Sequence, residues 1–461
     1  DVGILLEDAY AMGVRVHNNS WGRVAAGAYY DDAANLDKRI FQHQDLLVTV
    51  SAGNYGRDVN PPDGYTDTGS LASLAAAKNV LAIGASDSYR TGTDGWAEFT
   101  WNNIFGTGFA KLPTSIDTTS DSPVELAAFS SRGPTADGRI KPDLVAPGTN
   151  IISARAQNAN YIENWGGYEN SYYMYNGGTS MAAPLAAGAA ALVREYYIEK
   201  MLFANPSAAL IKATLINTAV DIPGYGNSSY EAGQPIPNMH EGWGRIDVGA
   251  AVTTGLRQFQ DNRTGLATNG VQTTQFQVES DAPFKVTLVW SDKEAVPNAL
   301  KTLVNDLDLQ VTAPDGTVYL GNVFSGGWSG TDPESSADKV NNVENVYIRY
   351  PTAGIWMVTV RGGNIPSGPQ PFALVVNGSL VPSSTPQVAS ITPAMGLDDA
   401  LVEGVTITGS SLLGNTTVAL VKDTVTIQGE ITANSDSQII ANFDLAGKAP
   451  GIYDVVVSTK A

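Results

Sequence analysis

The feature that most constrains the fold of this chain is a change in hydrophobic periodicity near residue 255. Before that point, helical spacing alternates with short continuous apolar runs, such as residues 46–50 and 80–83. Continuous runs are typical of parallel strands that are covered on both faces. After it, period-two runs such as residues 285–290 and 356–361 are divided by turn sequences. The sequence therefore predicts an α/β region followed by β-structure.

These patterns predict three domains in the 461 residues. Residues 1–254 are predicted to form an incomplete parallel sheet with helices on both faces. Residues 255–380 are predicted to form a jelly-roll β-sandwich. Residues 381–386 have the composition of a linker. Residues 387–461 show short strands and have about the length of a small immunoglobulin-like β-sandwich.

The composition excludes several classes of partner and site. The formal net charge is −19 and the sequence pI is about 4.5. Such a surface repels phosphate backbones and anionic lipids, so nucleic acid and membrane surfaces are not expected partners. The absence of cysteine excludes disulfides and thiolate metal sites. The longest apolar run, residues 181–193, is shorter than the ~20 residues that cross a bilayer.

The strongest local signal is the segment G-G-T-S-M-A-A-P at residues 177–184, which runs into an apolar helix. Glycines let the backbone approach a ligand closely. A serine in the first helical turn gains from the positive end of the helix dipole, and its amide N–H can point at an oxyanion. Ser180 is therefore a candidate nucleophile. The alternative is that Thr179 or Ser180 only caps the helix.

A second candidate residue is Asn54, in the segment V-S-A-G-N at residues 50–54. It comes just past the end of a buried strand, and ligands bind at strand ends in α/β sheets. Its side chain can donate a hydrogen bond to the same oxyanion. The alternative is an ordinary turn asparagine beside a glycine.

Five segments taken together resemble the subtilisin-like serine peptidases. In chain order they are S-W-G at 20–22, S-A-G-N at 51–54, F-S-S-R-G-P at 129–134, K-P-D-L-V-A-P-G at 141–148 and G-T-S-M-A-A-P at 178–184. Within that family the chain is most similar to the oxidatively stable alkaline proteases of bacilli. Residues 257–378 resemble their C-terminal β-barrel domain, and the tail resembles an IPT/TIG module.

The resemblance implies a serine endopeptidase that cleaves polypeptide substrates through an acyl-enzyme, at a bacterial cell surface or outside the cell. Ser180 would be the nucleophile, and Asn54 would donate to the oxyanion alongside the Ser180 backbone N–H. Two further segments would bind an extended substrate strand and wall its specificity pocket. The residues implied are Ser20, Trp21 and Gly22 for the strand, and Ala52 and Gly53 for the pocket.

The aspartate and histidine that activate the serine in this family are not found. They precede the serine, in D-T-G and H-G-T-H-V-A-G segments, and neither segment occurs here. The three histidines are His17, His43 and His240, and each is predicted to be structural. We therefore expect the chain alone to be inactive, and a missing N-terminal segment of the same protein to supply both groups.

Acidic and amide side chains in the β-rich region predict a calcium site. Asp306 and Asp308 share a face of one strand because they are two residues apart, and Asn342 and Glu344 repeat that spacing. Asp292 follows another strand. Clustered oxygen ligands suit calcium, and the resembling proteins commonly bind structural calcium. The alternative is a set of solvated carboxylates on strand edges. No organic cofactor is expected.

Two other functions stay open from the sequence. The first is a non-catalytic scaffold for peptide binding or adhesion, although a scaffold needs neither Ser180 nor Asn54. The second is an α/β-hydrolase esterase, whose histidine would follow the serine as His240 does. That family needs G-x-S-x-G, and Ala182 stands in place of the final glycine.

Overall fold

Four parallel strands form the sheet that positions the candidate site. In the computed structural model they lie side by side in chain order: β1 (Val16–Asn19), β2 (Leu47–Ser51), β3 (Leu81–Ser86) and β4 (Leu144–Pro147). β2 and β3 are buried along their whole length, as their continuous apolar sequences predict. Because the strands are parallel, their carboxyl ends all meet one edge of the sheet.

The structure describes most of the chain. The described residues are 2–92, 94–157, 165–222, 234–253, 257–331, 334, 336–381, 386–398, 400–412, 416–435 and 437–459. The predicted linker at 381–386 falls mainly on residues 382–385, which lie outside this set.

The α-helices are most frequent before residue 255. Those of the described residues are α1 (Val2–Ala11), α2 (Asp31–Gln42), α3 (Trp101–Phe105), α4 (Thr179–Glu195), α5 (Ala208–Asn217) and α6 (Val248–Val252). A short antiparallel pair, β5 (Ile151–Ala154) and β6 (Tyr173–Asn176), precedes α4. α4 begins directly after Gly178, whose φ of +144° suits glycine. Within the described residues, no helix combines the length and apolarity that a bilayer span requires.

The β-rich region consists of antiparallel sheets. Residues 258–381 form β7 (Gln258–Leu266), β8 (Val271–Val278), β9 (Phe284–Val289), β10 (Asp306–Thr312), β11 (Val318–Leu320), β12 (Phe324–Ser325), β13 (Trp328–Ser329), β14 (Val343–Ile348), β15 (Gly354–Asn364), β16 (Gln370–Asn377) and β17 (Leu380–Val381). Their sheet orders are β11-β10-β15-β8-β17, β14-β9-β16-β7 and β12-β13.

The tail forms two further antiparallel sheets. Its strands are β18 (Gln387–Thr392), β19 (Leu401–Ser410), β20 (Thr416–Lys422), β21 (Val425–Gln428), β22 (Glu430–Asn434), β23 (Gln438–Asp444) and β24 (Asp454–Thr459). The sheet orders are β18-β19-β23-β22 and β21-β20-β24. The predicted class, a parallel α/β region followed by β-sheets, is thus confirmed. The jelly-roll and immunoglobulin-like topologies stay predictions.

The chain packs as two compact units. The first contains Asp1–Ala190, Thr218–Asp247 and Lys293–Leu303, and it includes the parallel sheet. The second contains Ala191–Asn217, Val248–Asp292 and Val304–Ala461. The core of the second unit includes α5, which is buried throughout and packs on β9 and β16. The candidate site described next lies entirely in the first unit.

Candidate active site

Three segments bring polar groups to the carboxyl edge of the parallel sheet. Ser20 directly follows β1, and Asn54 comes three residues after the end of β2. The start of α4 is held at the same edge, because the Gly178 N–H donates to the carbonyl of Gly148, 2.7 Å away and just past β4. The fold therefore brings Ser180 to the strand ends, as the sequence predicts.

The side chain of Asn54 is oriented by Thr179. Both the backbone N–H and the hydroxyl of Thr179 donate to Asn54 Oδ1, each at a distance of 2.9 Å. The hydroxyl of Thr179 also accepts from the Gly53 N–H at 3.2 Å. Because two donors hold the amide oxygen, the Nδ2 group is turned away from them and keeps its hydrogens for another acceptor.

The Asn54 amide and the Ser180 N–H border one small space above Gly178. A Cβ built on Gly178 would lie 3.2 Å from Asn54 Nδ2 and 3.7 Å from the Ser180 nitrogen. The Ser180 N–H belongs to the first turn of α4, where helical amides have no acceptor within the helix. Two N–H donors beside a space that a glycine keeps open have the form of an oxyanion hole.

Ser180 and Ser20 are joined by two reciprocal hydrogen bonds. The Ser20 hydroxyl donates to the Ser180 carbonyl at 2.8 Å, and the Ser180 hydroxyl donates to the Ser20 carbonyl at 3.1 Å. Ser180 is partly exposed, so its hydroxyl is accessible from solvent. The pair fixes the first turn of α4 against the end of β1.

The glycine before Asn54 is closely surrounded. At Gly53 the φ is +112°, and a Cβ there would lie 2.7 Å from Ser131 Oγ and 3.1 Å from Ala72 Cβ. Ser131 also holds both sides of this turn, since its N–H donates to the Gly53 carbonyl at 2.9 Å and its hydroxyl accepts from the Tyr55 N–H at 3.1 Å. Ala52 is fully buried and accepts from the Ala72 N–H at 2.8 Å.

The segment predicted to bind a substrate strand is accessible. Trp21 is 50% exposed. Gly22 accepts a long hydrogen bond of 3.4 Å from the Tyr55 hydroxyl, and its Cα faces Ala72. Tyr55 contacts Gly22, and Ala72 contacts both Gly22 and residues 52–53. These contacts place residues 20–22 and 52–53 near Asn54. Their roles in substrate binding stay predictions.

The three histidines are engaged away from the serine. The ring of His17 lies 3.2 Å from Asn19 Nδ2, and burial lowers its pKa. His43 lies 3.1 Å from a carboxylate oxygen of Glu7. His240 is buried, and that burial lowers its pKa to about 3. Among the described residues, none of these histidines is hydrogen-bonded to the nucleophile.

Three of the five predicted calcium ligands lie on two strands that pack together, Asp306 and Asp308 on β10 and Glu344 on β14. Glu344 Oε2 accepts from the Leu309 N–H at 2.6 Å, and burial raises the pKa of Glu344, with the charges of Asp338, Asp308 and Asp306 adding to this effect. Within the described residues, Asp308 Oδ1 and Glu344 Oε1 are buried oxygens with no hydrogen-bond partner. Such oxygens fit a cation, because a buried acceptor without a donor is costly.

The other two predicted ligands hold backbone groups. The carboxylate of Asp292 accepts from the N–H groups of Val304 and Asn305, both at 2.8 Å. The side chain of Asn342 donates to the carbonyl of Trp290 at 2.8 Å. These hydrogen bonds to backbone groups give each of the two side chains a structural role.

Sequence reasoning missed the residues that orient the site. Thr179 enters it only as a helix cap, and Ser131 only as part of the F-S-S-R-G-P segment, with no role of its own. The resemblance implies only that Ser20 helps to bind a substrate strand, yet its hydroxyl also donates a hydrogen bond to the Ser180 carbonyl. The one local signal was the adjacency of Thr179 to Ser180 in the G-T-S segment.

Known proteins share this sequence pattern. A serine protease/ABC transporter B family protein, tagD of Dictyostelium discoideum, is 27% identical over 82% of this chain and 26% of its own length. Serine protease AprX of Bacillus subtilis is 37% identical over 32% of this chain and 26% of its own. The chain thus spans about a quarter of the length of these relatives. The crystal structure of fervidolysin from Fervidobacterium pennivorans, a keratinolytic enzyme related to subtilisin, aligns with 99% of this chain and 62% of its own, at 17% identity and a TM-score of 0.33.

The family model that matches is that of the subtilase family, over residues 3–244. The match covers the parallel sheet, the Asn54 turn and the start of α4. This chain therefore belongs to the subtilase family of serine peptidases.

Proposed function

We propose that this chain carries the nucleophile and the oxyanion hole of a serine endopeptidase. Its aspartate and histidine would come from a segment of the same protein outside these 461 residues. The observation that carries the proposal is that Asn54 Nδ2 and the Ser180 N–H border the same space above Gly178. A helix cap alone needs no such second donor, so this geometry supports the catalytic interpretation.

In the proposed reaction, the Ser180 hydroxyl attacks the carbonyl carbon of a peptide bond. The hydroxyl proton passes to the histidine supplied from outside the chain, and a carbon–oxygen bond forms. The carbonyl oxygen becomes an oxyanion that accepts hydrogen bonds from Asn54 and from the Ser180 N–H. The carbon–nitrogen bond then breaks, the histidine protonates the leaving amine, and water hydrolyses the acyl-enzyme.

The size of the missing contribution explains why the chain alone should be inactive. In subtilisin, loss of triad members leaves only about 10³–10⁴-fold catalysis over water, from the oxyanion hole and substrate binding. Here the Ser180 hydroxyl donates to a backbone carbonyl, which cannot accept a proton in the reaction. We therefore expect the 461-residue chain to hydrolyse peptides no faster than its Ser180→Ala variant.

The test compares this chain with a longer product of the same gene that contains D-T-G and H-G-T-H segments. Hydrolysis of a peptide p-nitroanilide is followed with each protein and with its Ser180→Ala variant. We expect a gain of about 10⁶-fold in kcat for the longer protein, and its loss on Ser180→Ala. Hydrolysis by the short chain that disappears on Ser180→Ala would refute the proposed inactivity. A longer protein without activity would favour the non-catalytic scaffold.

The buried carboxylates of the β-rich region support a calcium site formed by Asp306, Asp308 and Glu344. A calcium ion between the three carboxylates would neutralise their negative charges and remove their mutual repulsion. Elemental analysis of protein purified without chelator should find calcium, and the Glu344→Gln variant should lose one equivalent. We also propose that the protein acts outside the cell or at its surface on polypeptide substrates. Detection of the protein in culture medium or by surface labelling tests that location.

A further inference from the structure

A group of carboxylates lies in the first unit, away from the β-rich region. Its members are Asp87, directly after β3, and Asp121 and Glu125 on the long connection that precedes β4. One carboxylate oxygen from each lies within 4.8 Å of those from the other two. None of the three enters the reaction or the calcium site proposed above.

The carboxylate of Asp87 is buried and accepts no hydrogen bond from the described residues. It is only 1% exposed, and neither of its carboxylate oxygens has a hydrogen-bond partner among the described residues. Glu125 is 5% exposed, and its Oε2 is likewise buried without a partner in that part of the chain. Buried acceptors normally find donors, so three such oxygens in one cluster indicate that something else satisfies them.

The backbone places these side chains firmly. The Asp87 N–H donates to the Glu125 carbonyl at 2.9 Å, and Ser86 pairs with Leu126 in an antiparallel bridge. Ser120, next to Asp121, donates to Thr149 Oγ1 at 2.7 Å. The fold therefore brings the backbone positions of all three residues together.

Negative charge is crowded around this cluster. Burial raises the pKa of Asp117 to about 9, with further contributions from Glu125 and Asp121. Burial likewise raises the pKa of Glu125 to about 7, and Asp121 adds to the effect. Four carboxyl groups thus share this region, and the cation whose charge acts on Asp87 is Arg132. Carboxyl groups this close together repel one another when ionised, and a bound cation would remove that repulsion.

We propose that Asp87, Asp121 and Glu125 form a calcium site in the subtilase unit. The donors are hard oxygens, which suit calcium and magnesium rather than softer metals. Two oxygens on opposite sides of one calcium ion are about 4.6–5.2 Å apart, whereas magnesium requires about 4.0–4.2 Å. Oxygens that all lie within 4.8 Å of one another can reach a single ion of calcium's size. Asp121 is exposed, which gives the ion a path from solvent and leaves room for water ligands.

The experiment is calcium titration of the chelator-treated 461-residue chain by isothermal calorimetry. All proteins carry Glu344→Gln, so that the site proposed in the β-rich region does not contribute. The test variant is Asp121→Asn, whose exposed position should tolerate the amide. The matched control is Glu98→Gln, an exposed acid outside the cluster.

We expect one calcium to bind the Glu344→Gln chain and its Glu98→Gln derivative equally. Asp121→Asn should weaken that binding by at least about tenfold, the loss found even for outer-shell partners. Magnesium should bind more weakly than calcium. Equal isotherms with and without Asp121→Asn, or no calcium uptake by the Glu344→Gln chain, would overturn the site. Asp87→Asn is a second variant, but Asp121→Asn decides the matter even if the buried change prevents folding.

Discussion

The serine site and the Asp87 cluster lie at the carboxyl edge of the same parallel sheet, and they present opposite kinds of polar group: N–H donors in the first and oxygen acceptors in the second. In the serine site, Asn54, Ser180 and Ser20 have their orienting partners within the chain. Two N–H groups border one space. In the cluster, buried oxygens of Asp87 and Glu125 accept no hydrogen bond from the described residues. The first arrangement is suited to a developing negative charge, and the second to a positive ion.

This difference shows that one sheet edge can present opposite electrostatic surfaces. The serine site takes its donors from a helix start and an amide that Thr179 orients. The cluster takes its acceptors from a long connection that folds back on β3. If the comparison is correct, changes at one site should leave the function of the other intact.

The largest effect is expected at Asn54. In the longer, active protein, Asn54→Ala should lower kcat by about 10²–10³-fold and change KM little, because its amide acts on the oxyanion formed in the transition state. Asn102→Ala, an exposed asparagine on α3, is the control and should keep full activity. Calcium affinity should be unchanged in both. Steady-state kinetics with a peptide anilide measures this, and a KM effect without a kcat effect would contradict the assignment.

The next effect concerns calcium and stability. At free calcium 100-fold above Kd, binding should raise the free energy of unfolding by about 2.7 kcal/mol. Thermal unfolding in the Glu344→Gln background, with and without calcium, measures it. The increase should fall to about 1.4 kcal/mol or less in Asp121→Asn and persist in full in Asn54→Ala. A calcium-dependent shift that Asn54→Ala also removes would show that the two sites are not independent.

The serine site was largely predictable from the sequence, because its residues occupy defined positions on local elements. Asn54 follows a continuous apolar run, and Ser180 begins an apolar helix. The carboxyl ends of parallel strands meet at one edge, so strand ends and the helix start place both residues together. The hydrogen bonds from Thr179 to Asn54 were not predictable, because they depend on the rotamer of each side chain.

The Asp87 cluster was not predictable, because no local spacing connects its members. Asp87 and Glu125 are far apart along the chain, and only the return of the connection to β3 brings them together. By contrast, Asp306 and Asp308 gave a signal because neighbours two apart on a strand share a face. The sequence thus predicts ligand sets within one element and misses those built by tertiary contact.

A smaller effect is expected for the pH dependence of stability. Burial and, after it, the charge of Arg132 lower the pKa of His240 to about 3 in the folded protein, against 6.5 for the ordinary group. The unfolded state therefore binds a proton below pH 6.5 that the folded state does not. This contribution to stability is complete above pH 6.5 and is lost as the pH falls towards 3, at about 1.4 kcal/mol per pH unit.

Replacing His240 by glutamine removes this titration. Between pH 7.5 and pH 5, the wild type should lose about 2 kcal/mol more than His240→Gln. Urea unfolding at several pH values measures the two slopes. Because Arg132 also acts on Asp87, the comparison is made in saturating calcium, which separates the histidine from the cluster. Parallel slopes for the two proteins would show that the buried ring does not resist protonation.

The smallest effect is expected at Ser20. Ser20→Ala removes the 2.8 Å hydrogen bond to the Ser180 carbonyl but keeps the backbone carbonyl that accepts from the Ser180 hydroxyl. The free energy of unfolding should fall by about 1 kcal/mol. Ser171→Ala, at an exposed serine, should change it by less than about 0.5 kcal/mol. Ser20 fixes the first turn of α4. Among the described residues it forms no hydrogen bond with a member of the carboxylate cluster, so the calcium affinity should stay constant. A change in calcium affinity in Ser20→Ala would mean that the end of β1 and the end of β3 respond as one unit.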